Sequence, residues 1–270
     1  MQQKEHIFWK SVCITVVLLT SVVIQSAIAG DWSNTTTVAV FDGKLYSTER
    51  SGELHVTDLN TGKWRQIGKA EFAKTRFLFA GTNNLFTIES DGTFYRVNPN
   101  DGSWDQVGKA ADWKGTIAGA MVGGRLYTVD TSGALYETNP ENGSWRKIGK
   151  SDYQNTMFLN GAGSSLYTIE RDGSFYQINA SDGSWNRVGK AGDWTGTIGV
   201  TTLSGMIYTV DRSGALYETD PVNGAWRQIG KAEFGKTKFI FSANGSLYSI
   251  EKDGNMYRIN PANGSWAAVG

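Results

Sequence analysis

From residue 30 onward the chain is a succession of short runs in which apolar and polar residues alternate, broken by clusters of Gly, Asn, Asp and Ser. Residues 126–145, LYTVDTSGALYETNPENGSW, show the unit. Two period-2 runs rich in β-branched and aromatic residues flank a Gly-containing turn, and a second turn leads to a tryptophan. The same text restarts at Leu45, Leu85, Leu166, Ile207 and Leu247. Its closing tryptophans, Trp64, Trp104, Trp145, Trp185, Trp226 and Trp266, are spaced 40, 41, 40, 41 and 40 residues apart.

A fixed period near 40 marks a repeat architecture. Each unit holds four candidate strands, which in the second unit are 77–80, 85–89, 93–98 and 104–107. A four-stranded antiparallel unit of this length, repeated radially, is a propeller blade. The pattern therefore predicts an all-β fold, a six-bladed β-propeller with blades at about 30–68, 69–108, 109–149, 150–189, 190–230 and 231–270. The 40/41 alternation makes the duplicated unit 81 residues long, so pseudo-threefold symmetry is expected. A solenoid would need atypical polar capping units. The end units here are ordinary, which favours a closed ring without a strand exchanged between termini.

Strand direction puts the loops after the second and fourth strands on one face. The loop after the fourth strand carries an acid-aromatic-x-x-Thr motif leading into every unit. It reads Asp31-Trp32…Thr35, Glu71-Phe72…Thr75, Asp112-Trp113…Thr116, Asp152-Tyr153…Thr156, Asp193-Trp194…Thr197 and Glu233-Phe234…Thr237. A ring beside a carboxylate and a hydroxyl can grip a sugar, the ring covering its apolar face and the oxygens its hydroxyls. The alternative is that the rings pack between blades and the acids cap turns.

Glu49, Glu89, Asp130, Glu170, Asp211 and Glu251 open the loop after the second strand. They read either as a ring of oxygen ligands for Ca²⁺ or as turn-capping groups paired with Lys69, Lys109, Lys150, Lys190 and Lys231. Turn capping is the expectation, and no metal site is assigned. The closing tryptophans read as blade-packing residues. His55 takes the place of Tyr95, Tyr136, Tyr176, Tyr217 and Tyr257 in the first unit, as a substituted packing residue.

The N-terminus differs from the rest. Lys4 and Lys10 precede a 13-residue apolar core at 12–24, and Ala27-Ile28-Ala29 is a small-x-small cleavage signal, which together read as a signal peptide over 1–29. The apolar core is shorter than the roughly 20 residues of a membrane span. Secretion or a periplasmic location is expected, with no membrane span after cleavage. Cleavage after Ala29 removes Cys13, the one cysteine, and with it thiol chemistry. Net charge is zero, so nothing draws the chain to a phosphate backbone, and nucleic acid is not an expected partner. No G-x-S-x-G elbow and no H-E-x-x-H motif is present, and residues 30–270 hold one histidine. A non-enzymatic protein without a cofactor is expected.

The text Trp-x-x-Ile/Val-Gly-Lys, followed by Leu-Tyr-x-x-Asp/Glu-x-x-Gly-x-Leu-Tyr, resembles the tectonin-type repeat of six-bladed lectins. Pro-Gly of that repeat is Gly-Lys here, as at Gly108-Lys109, and its Val-Trp-Gly-Val-Asn strand is Leu126-Tyr127-Thr128-Val129-Asp130. The Leu-Tyr-x-x-Asp run is also similar to the YWTD propellers of receptor ectodomains. The first resemblance implies binding of glycans or glycosylated surfaces at the repeated loops. The second implies a scaffold for envelope or extracellular proteins, and a Ca²⁺-dependent lactonase is a third, remoter analogy.

Overall fold

A computed structural model describes residues 28–270; the signal segment expected over 1–29 lies outside it, save for residues 28 and 29. The described chain is all strand and turn, with no helix, and hence none long and apolar enough to cross a membrane. Four consecutive strands make each of six antiparallel sheets, arranged in chain order. In the first blade these are Thr35–Phe41, Lys44–Glu49, Leu54–Thr57 and Lys63–Ile67, and in the second Thr75–Ala80, Leu85–Glu89, Phe94–Val97 and Trp104–Val107. The first strands of the others, Thr116–Val122, Thr156–Ala162, Thr197–Leu203 and Thr237–Ala243, line the ring's centre with those two. Ile28–Ala29 adds a short fifth strand to the first blade, antiparallel to Lys63–Ile67.

The first strand of the second blade begins two residues before the apolar run that signals it. Thr75 is paired with Glu89 through a hydrogen bond that hydropathy cannot see. All six blades share a further irregularity. The pairing of first and second strands slips by one residue just after the motif threonine, leaving Thr36, Arg76, Ile117, Met157, Ile198 and Lys238 unpaired in β-bulges.

The core lies between blades rather than within them. Leu126 of the third blade, fully buried, packs with Phe86, Phe94 and Val107 of the second. Leu45 of the first blade is packed with Phe241, Tyr248 and Met256 of the sixth, so the same apolar contact that joins neighbours closes the ring. Fully burying one such side chain stabilises by roughly 1.5–3 kcal/mol.

Two sets of backbone contacts repeat around the ring. The aromatic of each lead-in motif donates its N–H to the glycine carbonyl in the preceding blade's second turn: Phe72 to Gly52, Trp113 to Gly92, Tyr153 to Gly133, Trp194 to Gly173, Phe234 to Gly214 and, closing the circle, Trp32 to Gly254. These bonds place the two loops on one face. At the rim, the glycine ending one blade meets the glycine before the outer strand of the next, as at Gly108 and Gly143, where a Cβ on Gly143 would sit 2.5 Å from the Gly108 Cα. Gly270 meets Gly62 in the same way.

Buried carboxylates tie first strands to second. Thr35 donates to Glu49 at 2.8 Å, Thr75 to Glu89 at 2.7 Å, and Thr156 and Thr237 to Glu170 and Glu251 at 3.0 Å. Burial raises the pKa of all four acids, that of Glu49 to about 7.

Two predictions follow from this packing. Gly92 has φ +84° and a Cβ there would lie 2.3 Å from the Lys114 nitrogen, whereas Gly123, at φ +56°, faces open space. Gly92→Ala should destabilise by about 3 kcal/mol or more, and Gly123→Ala by only the ~1–2 kcal/mol of left-handed strain, measured by denaturant unfolding. For Glu49, the folded state holds its proton to about pH 7 while the unfolded chain releases it near 4.5. Between those values the folded form binds more protons, so stability falls as pH rises. Glu49→Gln should remove that part of the fall, on the order of 2 kcal/mol, in a comparison of Tm below and above the window.

Candidate functional site

Each acid-aromatic pair sends its two side chains in opposite directions. The backbone bond to the preceding blade holds the aromatic residue in the seam, and its ring fills the wedge between sheets. Trp32, Phe72, Trp113, Tyr153, Trp194 and Phe234 are 2–5% exposed. Trp113 packs on Phe94 of the blade before, with ring centroids 4.8 Å apart, and gives its indole N–H to Thr138 of the blade after. Trp194 does the same with Phe175 and Thr219, and the Tyr153 hydroxyl donates to Gly183 O at 2.7 Å. These rings offer no free face to a sugar. The motif threonines are also buried: four bond the glutamates, while Thr116 and Thr197 donate to Trp113 O and Trp194 O. Of the triads expected to grip a ligand, only the carboxylates Asp31, Glu71, Asp112, Asp152, Asp193 and Glu233 reach the surface.

The closing tryptophans correct the opposite expectation. Trp104, Trp145, Trp185, Trp226 and Trp266 are 43–49% exposed, and only Trp64 is more covered. They sit on the outermost strand of each blade, where a typical burial pattern, as in Trp145–Ile148, leaves only the last residue inside. Four are tied to the carboxylate of their own blade's lead-in loop. Trp104 donates to Glu71 at 3.0 Å, Trp145 to Asp112 at 3.1 Å, Trp226 to Asp193 at 3.3 Å and Trp266 to Glu233 at 2.9 Å. A tyrosine stands edge-on to each exposed indole at 4.8–5.3 Å, as Tyr136 does to Trp145. In the first blade His55 stacks on Trp64 at 4.2 Å instead, and burial lowers its pKa.

Clefts open beside these indoles. In the third and fifth blades they measure about 70 and 60 Å³, room for a few waters or one functional group. The second blade's cleft is about 280 Å³, lined by Glu71, Lys74, Glu89, Asp91, Tyr95 and Trp104. Phe72 fills less of the wedge there than Trp113 or Trp194 in the smaller pair.

The six second-turn acids do not form one ring. The glutamates turn inward to the threonines. The shorter Asp130 and Asp211 stay in their turns, accepting from Ser132 and Ser213 and from the amides of Ala134 and Ala215. Hydrogen bonds to the charged form hold Asp130 below the usual carboxylate range against the opposing effect of its burial. Among the described residues no three His, Cys, Asp or Glu side chains converge as metal ligands. The expected pairing with Lys69, Lys109, Lys150, Lys190 and Lys231 is not formed; ion pairs of the described residues lie elsewhere, as between Arg146 and Glu137 or Arg227 and Glu218.

A further cavity of about 210 Å³ occupies the central channel, lined by first-strand residues of the second to sixth blades. Its distinctive residues are those that differ between repeats, so no motif in the sequence marks it.

Comparison with solved structures agrees with the fold alone. A structural genomics protein of unknown function from Bacteroides thetaiotaomicron VPI-5482 superposes with TM-score 0.63 at 15% identity, over 87% of this chain and 69% of that one. The Pan2 WD40 domain of Neurospora crassa gives 0.59 at 10% identity, over 89% and 79%. The computationally designed Ika8 protein gives 0.56 at 15% identity, over 88% and 74%. No curated protein matches the sequence. One family model does, described as outer membrane protein assembly factor BamB, over residues 7–187. That match spans well over half of the sequence, and the chain belongs to this family.

Proposed function

We propose that this protein is a non-enzymatic scaffold of the cell envelope that holds other proteins against its propeller. The observation that carries this reading is the family match, because the family is described as an outer membrane protein assembly factor. The signal-like N-terminus agrees with export. The closed ring suits a rigid platform, and its exposed tryptophans are of the residue type that most often anchors protein interfaces. Several equivalent weak contacts around one ring multiply into avidity for a repetitive or multivalent partner.

One observation favours a second reading, binding of carbohydrate. Each tethered indole presents an apolar plate beside a carboxylate, the pairing expected of a sugar site, now built from Trp104, Trp145, Trp226 and Trp266 rather than from the buried rings. The tectonin-like repeat text points the same way.

Replacing Trp104, Trp145 and Trp226 together by Ala should leave the β-sheet circular dichroism signal and Tm nearly unchanged, since their rings are half exposed. Trp113→Ala alone should cost about 3–5 kcal/mol, because it empties a wedge between blades. Crosslinking in intact cells and a glycan array then separate the readings. Envelope proteins trapped by the wild type, without competition from free sugars, support the scaffold. A saturable array response lost in the triple variant moves the assignment to carbohydrate. Neither signal from a folded protein rejects both.

A further inference from the structure

The six β-bulges form the most asymmetric feature of an otherwise repetitive ring. The residue before each bulge is always threonine, while the bulged residues run Thr36, Arg76, Ile117, Met157, Ile198 and Lys238. A bulge releases one residue from the ladder and re-aims its side chain. Here the releases occur on the innermost strands, beside the central channel. Ile117, Met157, Ile198 and Lys238 line its 210 Å³ cavity directly. Arg76 stands beside the cavity rather than in its lining: its guanidinium lies 5.5 Å from the centre of the Phe77 ring, which lines it.

The resulting mouth has two halves. The third, fourth and fifth blades supply a continuous apolar arc, in which Met157 is 36% exposed and Ile117 and Ile198 are half-buried. The second and sixth blades place a cation at each end of that arc, Arg76 and Lys238, each over a phenylalanine ring of its own strand. The Lys238 ammonium uses one donor on Ser33 O at 3.0 Å, leaving two of its three donors for a ligand. Thr36, between the cations, is satisfied by Thr48. Exposed apolar side chains at a constriction, bracketed by cations, are complementary to apolar groups bracketed by carboxylates.

We propose that this channel mouth is the docking surface for an extended segment of a partner protein, one in which apolar residues are flanked by acidic ones. The proposal rests on the scaffold reading and names where and by what chemistry the partner is held. The apolar side chains enter between Ile117, Met157 and Ile198, and the carboxylates meet Arg76 and Lys238. A cavity of about 210 Å³ accepts one or two side chains and is too small to enclose a long acyl chain, which favours a peptide over a lipid.

The test uses the full-length protein and a fluorescein-labelled synthetic peptide with the centre Leu-Phe-Leu between two Asp-Glu pairs. Two control peptides replace the acids by lysine or the apolar centre by serine. Fluorescence anisotropy should show saturable binding of the first peptide, weakened at least tenfold in both controls and by added salt. Arg76→Glu and Met157→Glu, both at exposed positions, should each weaken binding at least tenfold with Tm unchanged, while Val222→Ala, 85% exposed on an outer turn of the fifth blade, should bind as wild type. Equal binding of all three peptides, or wild-type affinity in both mouth variants, overturns the proposal. So does preferential binding of laurate that displaces the peptide, which assigns the mouth to an amphiphile. In-cell crosslinks from the exposed tryptophans with a silent mouth would reject the channel site and leave the scaffold reading standing; silence at both rejects each.

Discussion

The ring depends on backbone approaching backbone at the blade junctions. At every seam an aromatic residue's N–H reaches a glycine carbonyl in the preceding blade, and farther out two glycines meet with no room for a Cβ. Sheets brought that close leave a wedge only as wide as an aromatic ring, which Trp32, Phe72, Trp113, Tyr153, Trp194 and Phe234 fill. The apolar clusters lie between blades for the same reason: a four-stranded sheet has two faces, and each face finds its cover on a neighbour. Stability is therefore a property of adjacent pairs, and the sixth pair, between the last blade and the first, is made from the same contacts as the other five.

Once the seams are fixed, the outermost and innermost strands of each blade are the ones left with an uncovered side. The outermost strands have no sheet beyond them, so five of the six closing tryptophans stay about half exposed, and four of those satisfy the indole N–H on a loop carboxylate. The innermost strands border a channel, where a bulge in each blade turns one side chain out of the ladder. Both places are repeated, but they are used differently. The tryptophans are the same in every blade, whereas the bulged residues range from Arg and Lys through Thr to Ile and Met. Repetition serves the frame, and the bulge position is where the blades diverge.

The buried glutamates show how one methylene decides a role. Glu49, Glu89, Glu170 and Glu251 reach back to the motif threonine and become part of the interior, where burial keeps their protons longer. Asp130 and Asp211, in the same place of the repeat, are too short for that reach and cap their own turns. Threonines 116 and 197 then turn to backbone carbonyls instead. The two kinds alternate from the second blade to the sixth, and Glu49 of the first blade breaks the alternation.

The sequence alone determined the architecture, because strand alternation, turn glycines and a strict period are local signals that survive without knowing what touches what. It also located the acid-aromatic motif and the closing tryptophan in every blade. It could not say which aromatic faces water. Both are large rings at fixed places in a repeat, and hydropathy assigns them equally to a core. Only the seam hydrogen bond, made with a blade some 20 residues earlier in the chain, turns Trp113 inward, and only the lack of a further sheet leaves Trp145 outside. The channel mouth was equally invisible, since Arg76, Ile117, Met157, Ile198 and Lys238 lie about 40 residues apart in sequence and form no pattern until the ring closes. Tertiary structure decided these matters because exposure and convergence depend on distances between blades, which no single repeat contains.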